Sequence, residues 1–201
     1  GPNLSAWLAE RKPDLLTALA VFHGVLDAVH HAHVRGLIHR DIKPENILME
    51  DHGGHWMPRL TDFGLVLDPA VQNRITRTGS VMGSPRYMAP EQITDSKRVD
   101  YRADYFSLGA ILFELVTGSF AFQGSEQFTV MTNVAEGNYL DPRQLVPDLP
   151  QNVYEAILGL LQVDPTVRLT DAAAVELLLY GEMSLTGEPG RQMEIDDTWV
   201  D

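Results

Sequence analysis

The sequence predicts a mainly α fold: a helical bundle around one buried central helix, with a small two-stranded β element. Three observations carry this. Apolar residues recur at spacings of three and four from Asp14 to Arg35, the mark of an amphipathic helix. A second segment, Arg102 to Val116, is apolar on most sides and so belongs at the centre. Between Leu37 and Leu67 the pattern changes to short apolar pairs broken by Pro, Gly and Asp, which reads as loops and short strands.

Asn3 or Ser5 caps a short first helix that runs to about Lys12, where Pro13 ends it. The long helix follows, its apolar set being Leu15, Leu16, Leu19, Phe22, Leu26, Val29 and His33, and Gly36 stops it. Strands are expected around Ile47–Met49 and Arg59–Thr61, with Asp51–Pro58 as their connection and Gly53-Gly54 as its turn. Residues 68–84, rich in Thr, Ser, Arg and Gly, read as a long loop, and loops of that length usually carry function or are disordered. The central helix has Leu108, Ile111, Leu112, Phe113 and Leu115 in its interior and Gly118 beyond its end. Further helices fit Ser125–Glu136, Gln151–Gln162 and Thr170–Tyr180. The stretch 181–201 is polar and acidic, with the character of a tail or linker.

Composition narrows the function classes. At 201 residues and 44% apolar content the chain can bury a sizeable core. No run approaches the ~18 uncharged apolar residues of a membrane-spanning helix, and no basic-then-apolar leader opens the chain. Cysteine is absent, which excludes disulfides and thiolate metal sites and suits a cytoplasmic placement, a longer parent protein being free to carry a membrane anchor. A formal net charge of -13 argues against nonspecific nucleic-acid binding, which needs Lys and Arg against phosphates. The acidity reads first as solubility and second as a preference for basic partners.

The motifs are more specific. His39-Arg40-Asp41-Ile42-Lys43-Pro44-Glu45-Asn46 fits H-R-D-x-x-x-x-N; Asp62-Phe63-Gly64 follows, and then Met88-Ala89-Pro90-Glu91. One triplet is weak, whereas the three in this order and spacing are strong. Phosphoryl transfer moves a highly charged group, so its catalysis is mostly positioning and charge neutralisation. A carboxylate must orient the hydroxyl nucleophile, and hard oxygen ligands must hold Mg²⁺ against the phosphates.

On these motifs residues 1–180 resemble the C-terminal lobe of eukaryotic-like, bacterial-type Ser/Thr protein kinases. The resemblance implies ATP and Mg²⁺ as cofactors and protein Ser/Thr hydroxyls as acceptors. It makes Asp41 the catalytic aspartate, Lys43 the lysine that steadies the transferring phosphoryl group, and Asn46 and Asp62 the metal ligands. Leu48 matches the residue beneath the adenine ring. Arg40 belongs to the kinases that switch on when a phosphate in the activation segment pairs with the arginine. Thr76 and Thr78 lie where bacterial relatives place their phosphorylated threonines, with Thr78 favoured. Ser84 stands for the commoner threonine of the substrate platform, and with Lys43-Pro44-Glu45 it favours Ser/Thr over Tyr substrates. Glu91 resembles the glutamate that pairs with a distant arginine, here Arg168, a buried pair costing about 3–5 kcal/mol to break from one side. Asp104 matches the aspartate that holds the catalytic loop's backbone.

His30, His31 and His33 invite a metal reading, but His30 and His31 point about 100° apart around a helix. His33 is read as packing locally. The same resemblance also shows what is missing. No G-x-G-x-x-G precedes the catalytic loop, and only Arg11 and Lys12 supply basic charge before Arg35. The chain is therefore expected to begin near the start of the second lobe, as a piece of a longer protein, with the N-lobe as its missing partner; a truncated gene or split kinase is the other option. Two further readings stand beside the catalytic lobe. One is a non-catalytic pseudokinase or scaffold, against which the intact Asp41, Asn46 and Asp62 argue. The other is a small-molecule phosphotransferase, which would lack Ala89-Pro90-Glu91.

Overall fold

The computed structural model describes residues 1–62, 85–95 and 99–181. Its elements are α1 (Leu4–Glu10), α2 (Leu15–Val34), β1 (Ile47–His52), β2 (His55–Leu60), α3 (Pro90–Thr94), α4 (Arg102–Thr117), α5 (Gln127–Glu136), α6 (Pro142–Leu145), α7 (Gln151–Leu160) and α8 (Ala172–Tyr180). Short 3-10 turns at Pro44–Asn46 and Pro85–Tyr87 complete it. The mainly helical class and the small two-stranded element are both present.

Helix starts follow capping chemistry. Asn3 Oδ1 accepts from Ala6 N at 2.8 Å and Asp14 Oδ1 from Thr17 N at 2.8 Å, each supplying an acceptor to a first-turn amide with no partner inside its helix. Asp171 does the same for α8. At the other ends Gly118 and Gly137 take the left-handed conformation, at φ 68° and 71°, that closes a helix without a Cβ penalty.

The hairpin corrects the sequence reading. The expected loop of residues 51–58 is strand except at its centre: Ile47 pairs with Leu60 and the register runs unbroken to His52 opposite His55. Gly53 and Gly54, at φ 70° and 95°, are the whole turn, the two positive φ values a tight hairpin requires. Pro58, the last residue of the expected connection, lies within β2 although proline lacks an N–H for a ladder. It is tolerated because the facing Met49 N–H points away from it, donating to Pro2 O at 2.8 Å. Two further helices, α3 and α6, were not foreseen. Each is at most five residues long and opens on a proline. Leu16, placed on the apolar face of α2, is instead 62% exposed.

The core is one continuous cluster with α4 at its centre. Twelve α4 residues, from Ala103 to Leu115, are buried, and α2 and α7 pack on either side. Phe22, Phe106, Phe113, Phe122 and Trp7 are its largest fully buried side chains. Among the described residues α2 has the length and mean hydropathy, 1.3, of a membrane span. It carries Asp27 and four histidines, however, and packs one face against α4 and β2, as the core helix of a globular protein does.

α4 meets α7 at Gly109, where a Cβ would lie 2.7 Å from Leu160 Cβ and 3.1 Å from Leu161 Cδ2. Gly109→Ala gains about 1 kcal/mol of helix propensity, but overpacking of a close-packed core costs about 1–3 kcal/mol. We expect a net loss of stability, read as a lower urea midpoint at unchanged m value; an unchanged or raised midpoint contradicts this packing.

Candidate active site

Residues 39–46 connect α2 to β1 and are held from below by α4. Asp104, in the first turn of α4 and 1% exposed, spends its carboxylate on them. Oδ2 accepts from His39 N at 3.0 Å and Oδ1 from Arg40 N at 2.8 Å. Oδ2 also receives His33 Nε2 at 2.7 Å. A buried carboxylate is costly unless hydrogen-bonded, and three donors answer that cost. Arg40 sits at φ 63°, a left-handed conformation unfavourable for a residue with a Cβ, and persists because its surroundings fix it.

Beyond Arg40 the backbone turns so that Asp41, Lys43 and Asn46 face one another. Lys43 Nζ donates to Asp41 Oδ2 at 2.7 Å. Asn46 Nδ2 donates to Asp41 O at 2.8 Å and Oδ2 at 3.1 Å. Those two bonds commit the amide nitrogen and leave Asn46 Oδ1 as the atom able to ligate. Asp62 lies on the same side: it follows Thr61, whose N–H and hydroxyl donate to Asn46 O at 2.9 and 3.1 Å. Asp62 is exposed, sits at φ 61°, and among the described residues takes only a long contact from the Thr61 hydroxyl at 3.4 Å. His39 links the two segments. Asp41 N–H donates to its Nδ1 at 3.3 Å, which makes Nε2 the protonated nitrogen, and Nε2 donates to Thr61 O at 2.8 Å. The structure thus brings Asp41, Lys43 and Asn46 into mutual contact, with Asp62 one residue beyond the Thr61 that is bonded to Asn46.

The donor set suits a hard divalent cation shared with a phosphate. Asp62 offers an uncommitted carboxylate and Asn46 an uncommitted amide oxygen, the ligand types Mg²⁺ takes while keeping water and phosphate in its remaining positions. Among the described residues no cluster of three His, Cys, Asp or Glu could hold a metal unaided, and His30, His31 and His33 form none.

The other expected residues fall around this loop. Leu48, on β1, is 37% exposed between buried Ile47 and Met49, beside the Asn3–Leu48 bridge that joins the N-terminal segment to the hairpin. Arg40 makes its recorded bonds through its backbone, leaving the guanidinium without an ion pair among the described residues. Glu91 and Arg168 pair through two bonds of 2.8 and 2.9 Å. The remaining Arg168 donors go to the carbonyls of Gln162, Arg102 and Val163, so every N–H of a buried guanidinium has a partner. Thr76, Thr78 and Ser84 lie outside the described residues.

Sequence reasoning missed three contributors. His33 does not merely pack locally; it donates to Asp104, a residue distant in sequence, a link no local pattern carries. Gln92 of α3 binds Arg40 O through its side chain at 2.7 Å. Tyr87 and Glu114 form the third: the phenol donates to Glu114 Oε2 at 2.6 Å. Burial pushes the Glu114 carboxyl up, against the lowering effect of that hydrogen bond, and burial followed by the charge of Glu114 pushes the Tyr87 hydroxyl up.

A mainly helical fold with this polar loop between α2 and β1 is the setting in which the chain was compared with known proteins. The model of the family described as protein kinase domain matches residues 7–179, and the chain belongs to that family. It is similar to the DNA damage-responsive serine/threonine-protein kinase RqkA of Deinococcus radiodurans, 40% identical over 134 residues, 67% of this chain and 20% of that protein. Serine/threonine-protein kinase PknL of Mycobacterium tuberculosis is 35% identical over 176 residues, 87% of this chain and 43% of that protein. PrkC of Bacillus subtilis is 35% identical over 159 residues, 79% of this chain and 24% of that protein. Among solved structures, Rad53 1-466 in complex with AMP-PNP superposes at a TM-score of 0.69 with 28% identity, over 90% of this chain and 44% of that one. The chain spans less than half the length of each of these relatives.

Asp104→Ala removes the acceptor of two backbone donors, each costing about 1–3 kcal/mol when buried without a partner. Hydrogen exchange at the His39 and Arg40 amides should rise by about tenfold or more, while amides in the middle of α4 keep their protection. Unchanged exchange at both amides contradicts the holding role.

Proposed function

We propose that the chain is the catalytic and peptide-binding lobe of an ATP-dependent Ser/Thr protein kinase, transferring the γ-phosphoryl group to Ser or Thr hydroxyls of protein substrates. The observation that carries this is the Asp41 carboxylate, oriented by Lys43 Nζ at 2.7 Å and Asn46 Nδ2 at 3.1 Å within a loop fixed by Asp104. A carboxylate so held is ready to orient an incoming hydroxyl and accept its proton. Lys43 supplies positive charge where a transferring phosphoryl group would accumulate negative charge. Asn46 Oδ1 and the Asp62 carboxylate would hold Mg²⁺, which when bound neutralises phosphate charge. Leu48 offers an apolar surface at the hairpin for the adenine ring. The relatives named serine/threonine-protein kinases, and the solved relative with AMP-PNP bound, support both activity and nucleotide.

In this reading ATP lies between this lobe and an N-lobe that carries the glycine-rich loop and the strand lysine, which the 201 residues do not contain. Arg40, with its guanidinium uncommitted, receives a phosphate from the activation segment, on Thr78 or Thr76. Ser84 contributes its hydroxyl to the substrate platform. The setting is cytoplasmic, with a membrane anchor compatible elsewhere in the protein.

The test is transfer of labelled phosphate to Ser/Thr peptides by the protein that carries this chain together with its N-lobe. Asp41→Asn should lower turnover by about 10²–10⁴-fold, and phosphopeptide mapping should find Thr78 or Thr76 modified in the wild type and not in the variant. The 201-residue chain alone should give no turnover. Wild-type-like transfer by Asp41→Asn, or transfer by the isolated chain, contradicts the respective half of the proposal.

A further inference from the structure

We infer that Gln92 is a positioning residue that clamps residues 85–94, which follow Ser84 and are called the platform below, to the catalytic loop, so that Asp41 and the platform are held as one unit; the inference deepens the kinase reading and rests on it. Gln92 is the third residue of α3, whose N-cap, Ala89, has no side chain able to accept a hydrogen bond. Its Oε1 accepts from Ala89 N at 2.8 Å, closing the start of the helix from within. The other half of the amide is left to reach elsewhere, and Nε2 donates to Arg40 O at 2.7 Å. Both bonds are made only with the oxygen toward Ala89 and the nitrogen toward Arg40, which fixes the orientation of the amide.

The place of that second bond gives it its consequence. Arg40 immediately precedes Asp41 and sits in the left-handed region at φ 63°. Its N–H is held by Asp104 from α4, at 2.8 Å, and its C=O by Gln92 from α3. The strained residue is therefore gripped at both ends by side chains from different helices. The platform is tied to the same helix α4 by a separate route: Ser107 Oγ donates to Tyr87 O at 2.7 Å. Loop, platform and α4 form a closed triangle in which Gln92 is the side joining loop to platform. Arg40, Asp41, Tyr87, Met88, Gln92 and Ser107 border a common small cleft inside it. Displacements of about 1 Å at a reacting group can cost about 10²-fold in rate, so a clamp on the residue before Asp41 acts on turnover more than on nucleotide affinity.

The side-chain chemistry allows a clean separation. An ionised Glu at position 92 keeps an acceptor for Ala89 N but has no donor for Arg40 O, whereas Ala keeps neither. Hydrogen exchange in the full chain should therefore show the Arg40 and Asp41 amides loosened by about tenfold or more in both Gln92→Glu and Gln92→Ala, with the Ala89 amide protected in Gln92→Glu and released only in Gln92→Ala. In the protein carrying this chain with its N-lobe, Gln92→Glu should lower kcat for a Ser/Thr peptide by about tenfold with the KM for ATP within about twofold of wild type. Wild-type protection of Arg40 and Asp41 in Gln92→Glu overturns the clamp, whatever the activity. So does equal loosening throughout α3 and α4, the sign of a merely structural role. If the wild type itself transfers no phosphate to Ser or Thr, it is the kinase reading that fails, and the exchange contrast still decides whether Gln92 clamps the loop.

Discussion

The Asp104 carboxylate lies inside the protein at 1% exposure and has three donors around it: the His33 imidazole and the backbone amides of His39 and Arg40. An unpaired buried charge is destabilising, so Asp104 is tolerable only where those donors converge, and their convergence determines where residues 39–46 run. The central helix bears the cost because it is packed on every side and leaves the carboxylate little freedom to move. A loop built on a surface turn would lack this anchor. In the proposed function it is what holds donors and acceptors in place before substrate arrives, as electrostatic catalysis requires.

The same economy appears at α3. The Glu91–Arg168 pair joins that short helix to the segment before α8, and Arg168 also donates to carbonyls of residues 102, 162 and 163. With every guanidinium donor used, the pair replaces the hydrogen bonds that each partner lost on leaving water. A helix of five residues has little stability of its own. It owes its position to Glu91 on one side and Gln92 on the other, one fastening it to the core and the other to the loop. α3 is thus set by long-range side-chain contacts rather than by local propensity.

This explains which parts of the molecule were legible in the sequence. α2 was readable because its apolar residues recur with the helical period, and α4 because it is apolar on nearly every side over many residues. The motif around Asp41 was readable because its side chains stand at a recognisable spacing, and the structure brings Asp41, Lys43 and Asn46 into contact. What escaped was set by partners distant in the chain. Nothing near His33 points to Asp104, and nothing near Gln92 points to Arg40 O. The hairpin was read too short because residues 51–58 around Gly53-Gly54 were taken as connection, whereas only the two glycines turn and pairing runs from His52–His55 to Ile47–Leu60. α3 and α6 are shorter than two helical turns, too short for a period to show, and their opening prolines read as breakers. Leu16 was assigned to the buried face by spacing alone, though it shares the outward face of α2 with the exposed Ala20, His23 and Asp27.

In the proposed function a loop fixed from the buried core presents Asp41, Asn46 and Asp62 to one metal–nucleotide complex. The most direct test is a crystal structure of the protein carrying this chain with its N-lobe, grown with Mn²⁺ and a non-hydrolysable ATP analogue. An anomalous peak is expected within coordination distance of both Asn46 Oδ1 and the Asp62 carboxylate, with the Asp41 carboxylate facing the terminal phosphate. A metal held by other residues, or an Asp41 turned away from the nucleotide, would contradict it.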